Sequence, residues 1–263
     1  MNNKLDQREP IPPKTMVVPC RTLSTGVAFE WLGAGWNDFK NALRISLVYG
    51  LFVFLVSVLV AALAWKLGGF VLLLSALSGF VFVAPLLAFG LYSVSRQLCE
   101  GKEPSLAQTI AAIKKPFSNS LVFTLVLLVV FLLWARAGMM VQVFFPLGGQ
   151  PEWGHIVSFL LIGSAVGSIF ASVSFAASVF SLPMLANRDI DVITAVISSI
   201  NAVLRNKPAL LVWAVCICTL TGVGFLTAGL GLIVIIPWLA YATWHGYRAA
   251  LDVSEWSKLP QDG

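Results

Sequence analysis

The side chains that could do chemistry are few, and they stand at the edges of apolar runs. His245 and Arg248, set among Trp244 and Tyr247, close the last such run, and Asp189 and Asp191 follow an earlier one. An imidazole and a guanidinium at that place suit a lipid phosphate, bound by charge-assisted hydrogen bonds with the two aspartates nearby on the same side. The plainer reading is anchoring, because aromatic residues and terminal arginines are routine where a helix leaves a membrane. Asp189 and Asp191 could also hold a divalent metal against a phosphate substrate, but metal-dependent transferases bring more carboxylates together, and one of these two reads as a helix cap.

Other polar positions carry similar pairs of readings. Arg136, behind Trp134, snorkels to headgroups or joins Gln142 and His155 in an anion site. Gly163 and Gly167, with Ser164, Ser168 and Ser172 at four-residue intervals, fit close helix packing within the bundle or in a homodimer; the competing reading is a polar conduit. Cys216 and Cys218 point about 200° apart on a helix and so cannot share one metal ion, which leaves them, with Cys20 and Cys99, as free thiols. No phosphate-binding glycine loop or nucleophile elbow is present in context. The expectation is a non-enzymatic protein without cofactor or metal.

These positions must be held by membrane helices. Apolar residues make up 58% of the 263 and charged ones only 11%, with a mean hydropathy of +0.88. That is too little polar surface for a soluble domain, which carries about a quarter charged residues. Runs able to cross about 30 Å of hydrocarbon need roughly 20 residues. They occur at 45–65, 70–95, 117–135 and 156–186. The stretch 209–244 is too long for one crossing and has Gly229, Leu230 and Gly231 near its middle, so it is predicted to be a hairpin of two helices. Six spans result. No Asp, Glu, Lys, Arg or His lies at the centre of any, which weighs against a proton relay or an ion-coupled transporter.

Of the 17 lysines and arginines, all but Lys66 and Arg136 fall on one side of this arrangement, so both termini are expected in the cytoplasm. The net charge of +5 then reflects topology and contacts with anionic headgroups rather than nucleic-acid binding. No cleavable signal peptide is expected, since about 44 mostly polar or amphipathic residues precede the first run, which should act as an uncleaved signal anchor. Residues 1–23, rich in proline, read as a disordered cytoplasmic tail ahead of a membrane domain over 24–263.

That domain divides into modules at about 24–100, 101–188 and 189–263. Each begins with an amphipathic segment fit to lie in the headgroup layer. The apolar series are Ala28, Leu32, Trp36, Phe39 and Leu43; Leu106, Ile110, Ile113 and Phe117; and Ile190, Ile193, Ile197, Ile200 and Leu204. Ser105 with Gln108 forms a capping box for the second, and Asp189 is expected to cap the third. The return spans share Pro85-Leu86-Leu87-Ala88, Pro183-Met184-Leu185-Ala186 and Pro237-Trp238-Leu239-Ala240, where each helix should break or bend. The predicted fold is all-α: a six-helix membrane bundle, three interfacial helices and a threefold internal repeat.

The run from Pro183 to Asp191, with Thr194, Ala195, Asn206, Lys207, Pro208 and Trp213, resembles a family of bacterial integral membrane proteins known as a domain of unknown function. Pro237 to Arg248 and Gly35-Trp36-Asn37-Asp38-Phe39 are similar to it too. The resemblance implies a six-pass inner-membrane protein of proteobacteria and no particular activity. Haem-copper oxidase chemistry would need about six histidine ligands, and the chain has only two histidines. The functional expectation is a lipid-associated structural or assembly factor, whose partners are anionic lipids, further copies of itself or other membrane proteins. The alternatives are a small-solute permease or channel and a lipid-modifying enzyme.

Overall fold

The computed structural model describes residues 16–105, 109, 117–144 and 153–258. The helices are α1 (Val27–Asn41), α2 (Leu43–Leu87), α3 (Phe89–Cys99), α4 (Phe117–Phe144), α5 (Trp153–Ser178), α6 (Ser181–Asn187), α7 (Val192–Arg205), α8 (Lys207–Leu226) and α9 (Leu232–Ala250). Extended pairing among the described residues is limited to two isolated bridges, Cys20 with Leu251 and Arg188 with Lys258. The second amphipathic segment, Leu106 to Phe117 with Gln108 of its capping box, lies almost wholly outside the described residues.

Among the described residues, three helices are long and apolar enough to cross a membrane: Leu43–Gly69, Val157–Asn187 and Lys207–Leu226. At most 22% of the residues in any of their most apolar windows are buried. Their surfaces are leucine, valine and phenylalanine, as at Leu51, Phe52, Leu55 and Leu59 on α2. Such a surface is stable only against hydrocarbon. Of the six predicted spans, length and hydropathy mark three among the described residues, alongside shorter apolar helices at Leu125–Met140 and Val192–Arg205.

The first two predicted runs are two helical stretches parted within α2 by a kink at Gly69, at φ 60° and ψ −146°, and the second run continues into α3. That backbone region is open essentially to glycine only. The predicted hairpin over 209–244 is present. α8 ends in a Schellman arrangement, with the Gly229 N–H on the Gly224 carbonyl at 3.1 Å and Ala228 at φ 53°. The Thr227 hydroxyl closes the turn, donating to the Gly224 carbonyl and accepting from the Gly231 N–H.

The prolines act unequally. Pro183 sits in the first turn of α6, directly after a break at Val179 and Phe180 that removes the bond from the Phe180 N–H to the Ala176 carbonyl. The Ser199 hydroxyl from α7 fills that gap. It accepts from the Phe180 N–H at 3.1 Å and donates to the Ala176 carbonyl at 2.7 Å, so both backbone groups are satisfied inside an apolar layer. Pro237, by contrast, lies within a continuous α9. It lacks the N–H that would bond to the Ile233 carbonyl. Gly50 of α2 packs against that same carbonyl, in space where any Cβ would clash.

A dense core occupies the other end of the molecule. Trp31, Phe180, Trp213, Tyr241, Trp244 and Tyr247 are all at most 3% exposed. They are held between α1, α3, α6, α7 and the second half of α9. α9 is its axis, touching α1, α2, α3, α6 and α8. Close approach of α1 to α9 depends on two glycines. A Cβ at Gly35 would stand 2.5 Å from the Ala242 nitrogen, and one at Gly246 would stand 2.9 Å from the Trp31 ring.

Residues 16–23, within the stretch read as a tail, run extended across this core. Val18 is fully buried and donates its N–H to the Ser198 hydroxyl, Leu23 donates to the Asn206 side chain, and Arg21 donates to the Ala250 carbonyl.

Candidate functional site

Asp38 comes from the packed face of α1, in line with Ala28, Trp31 and Gly35. It is 7% exposed, and one carboxylate oxygen, Oδ2, accepts the Ser95 hydroxyl at 2.7 Å and meets His245 Nε2 at 2.9 Å. The three residues belong to α1, α3 and α9, so the carboxylate ties three helices together. Buried carboxylates are tolerated when paired and hydrogen-bonded in this way. The Ser95 hydroxyl is fully buried and donates to the carboxylate rather than to the imidazole. A nucleophilic hydroxyl needs an open side for substrate; Ser95 is fully buried, and the contact clamps three helices together. Trp36 stacks on Phe39 at 5.1 Å beside it, and the Trp238 indole N–H donates to the Leu32 carbonyl at 2.8 Å.

A second polar cluster closes the same end of the core. The Asn187 amide donates to the Tyr247 hydroxyl at 2.9 Å, and Arg96 donates to the Ala186 carbonyl at 3.0 Å, a cation placed on the C-terminal end of α6. Next to them lies a cleft of about 220 Å³ bordered by Arg21, Asn187, Arg188, Arg248, Asp252 and Ser254. Arg188 donates to the Trp256 carbonyl at 2.7 Å, while Arg21 and Asp252 pair at 3.3 Å.

Of the four residues proposed from sequence for a phosphate site, only Arg248 borders this cleft. His245 is taken up by Asp38. Asp191 is the N-cap of α7, accepting the Thr194 N–H at 2.9 Å, and replaces Asp189 in the role expected for the latter. The reason is geometric. Asp189 is exposed and gives its own N–H to the Ser257 carbonyl, two residues before the helix entry, whereas Asp191 has the extended backbone a cap requires. Burial tends to raise the Asp191 carboxyl, but the Thr194 hydrogen bonds outweigh it and hold the group below its ordinary value.

Ser164, Ser168 and Ser172 are exposed on α5, with the Ser168 hydroxyl turned onto its own helix at the Ala165 carbonyl. Gly163 faces open space, and Gly167 looks toward the Trp134 indole of α4. Arg136 is exposed on α4, and the side chains of Gln142 and His155 lie outside the described ones. Cys20, Cys99, Cys216 and Cys218 are free thiols.

Sequence reasoning missed Asp38 and Arg21. Asp38 had a signal, since an acid at three- and four-residue steps from Ala28, Trp31 and Gly35 sits where an apolar residue belongs. Arg21 had none, because its neighbours are more than 160 residues away.

Fold and surface define an integral membrane protein. In keeping with this, residues 71–187 match a family model described as "Predicted integral membrane protein (DUF2189)". The match runs from the second half of α2 through α6, and over that stretch the chain is similar to that family. No curated protein and no solved structure matches the chain.

Proposed function

We propose that this protein is a non-enzymatic, lipid-associated scaffold of a bacterial inner membrane, crossing six times with both termini in the cytoplasm. To the three apolar spans this reading adds the second half of α2 with α3, α4 and α9. At 1.5 Å per residue, α9 reaches about 28 Å, near the thickness of a hydrocarbon core, and α4 about 42 Å, enough to cross the core and reach both headgroup layers. α9 has an unexceptional hydropathy because its second half serves the buried core.

The observation that carries the reading is the way α7 faces. Its small and hydroxyl side chains, Thr194, Ala195, Ser198, Ser199 and Ala202, are buried, while Ile193, Ile197 and Leu204 stand 39–66% exposed. A helix in water would turn the other way. One that turns isoleucines outward needs an apolar layer against them, as an interfacial helix has in the acyl–headgroup boundary. α1 supports the same reading with exposed Phe29 and Trp36. Lys40 and Arg205 in the last turns of the two helices suit anionic headgroups.

Native mass spectrometry of the purified protein tests this. The wild type should retain anionic phospholipid, and the Ile193→Glu/Ile197→Glu variant should lose most of it while keeping its fold. Equal retention by both would refute the scaffold reading. The exposed serine stripe of α5 is the feature that favours a permease instead, and solute flux into proteoliposomes would establish that alternative.

A further inference from the structure

The cleft behind α9 has a chemistry that the clamp at Asp38 lacks. Three guanidinium groups, Arg21, Arg188 and Arg248, border it against one carboxylate, Asp252. That carboxylate is already matched by Arg21 at 3.3 Å and by the Ser254 N–H at 3.2 Å, which leaves two positive charges without a counter-charge among the described residues that border the cleft.

Two of the donors lack acceptors. Arg188 spends one terminal nitrogen on the Trp256 carbonyl, but its Nε is shielded from solvent with no acceptor among the described residues. Arg248 is exposed and makes no hydrogen bond or ion pair with a described residue. Arginines near helix C-termini often do no more than offset the dipole. That role accounts for each one singly. It does not account for three around one cavity, one of them with a buried N–H left unused, since such a group costs free energy until it finds an acceptor.

Planar guanidinium forks match phosphate oxygens two at a time. At about 220 Å³ the cleft is below the roughly 300–1,000 Å³ of sites for drug-sized molecules, so it admits a headgroup and little more. It also lies at the end of α9 opposite the turn at Gly229, about 28 Å away along the helix axis, the separation expected between the two headgroup layers.

We infer that the cleft between Arg21, Arg188 and Arg248 binds a single phosphate group. Its placement at a headgroup layer rests on the six-span reading above; the charge balance and the unused donors do not. The phosphate is carried by an anionic lipid or arrives free in solution.

Calorimetric titration of the purified full-length chain in neutral detergent, with inorganic phosphate and with short-chain phosphatidylglycerol as separate probes, decides the matter. At least one probe should bind. Arg248→Gln should weaken it by about tenfold or more, and Arg188→Lys, which keeps the charge but loses the fork, should weaken it too. Lys207→Gln, an exposed cation outside the cleft, should leave binding unchanged. Binding of phosphatidylglycerol alone assigns a lipid headgroup, and binding of inorganic phosphate assigns a soluble source. In the Ile193→Glu/Ile197→Glu variant, inorganic phosphate binding should persist even if association with phosphatidylglycerol vesicles fails, which separates the cleft from the scaffold reading. No binding of either probe, or wild-type affinity in both arginine variants, would overturn the site.

Discussion

The Ser199 hydroxyl does the work of a missing helical hydrogen bond, and that makes it a more sensitive position than its size suggests. Ser199→Ala would leave the Phe180 N–H and the Ala176 carbonyl without partners in a buried layer, at a cost of about 1–3 kcal/mol. A thermal melt in detergent followed by tryptophan fluorescence should show it, whereas Ser164→Ala, on the exposed face of α5, should shift stability by less than about 0.5 kcal/mol. Asp191 offers a second test. Asp191→Ala should cost about 1 kcal/mol and Asp191→Asn much less, since asparagine also caps. Because hydrogen bonds hold the Asp191 carboxyl low in the folded protein, its contribution is complete above about pH 4, the unfolded value, and fades as pH falls through the lower native one. The difference between wild type and Asp191→Ala should therefore shrink in acid. At this scale the sequence marked the right kind of residue and missed the position by two. A cap is defined by where the chain turns extended, and nothing in Asp-Ile-Asp says which aspartate that will be.

The element scale turns on close approaches. Gly35 lets α1 rest on the backbone of Ala242, and Gly50 lets α2 rest on the Ile233 carbonyl that Pro237 leaves free. Alanine at either position should destabilise by about 1–3 kcal/mol through overpacking. Gly33 on α1 faces open space, so Gly33→Ala should be neutral or stabilising by about 0.5–1 kcal/mol in the same melt. The amphipathic periods of α1 and α7 were legible because isoleucine and tryptophan at three- and four-residue spacing stand out in any sequence. The outward turn of Ile193, Ile197 and Leu204 was expected with them, but not which residues of α7 would take the contact with the core. In water the apolar stripe turns inward, but next to lipid the driving force between helices is small, and small residues with hydroxyls take the contact instead. Ala195, Ser198 and Ala202 do so on α7. The break before Pro183 was equally legible, and the continuity of α9 through Pro237 was not, because it depends on a neighbouring helix covering the freed carbonyl.

At the scale of the whole molecule, one end is an aromatic core and the other is a spray of lipid-facing helices. Hydropathy reads the second well. It reads the first poorly, because α3 and α6 continue apolar runs and yet bury their side chains in the core. The pinning of residues 16–23 against α7 and the chain's last helix was out of reach for the same reason that Arg21 was: it joins parts of the sequence that share no local pattern. In the six-span arrangement proposed above, this core, with α1, α7 and the arginine cleft, lies on the cytoplasmic side, and the α8–α9 turn lies across the membrane from it. Cysteine labelling tests this most directly. In a variant stripped of its four native thiols, Leu230→Cys and Ser254→Cys are each probed in intact cells with a membrane-impermeant maleimide. Labelling is expected at position 230 in intact cells, and at position 254 only after permeabilisation. Labelling at position 254 in intact cells, or the same behaviour at both positions, would contradict that arrangement.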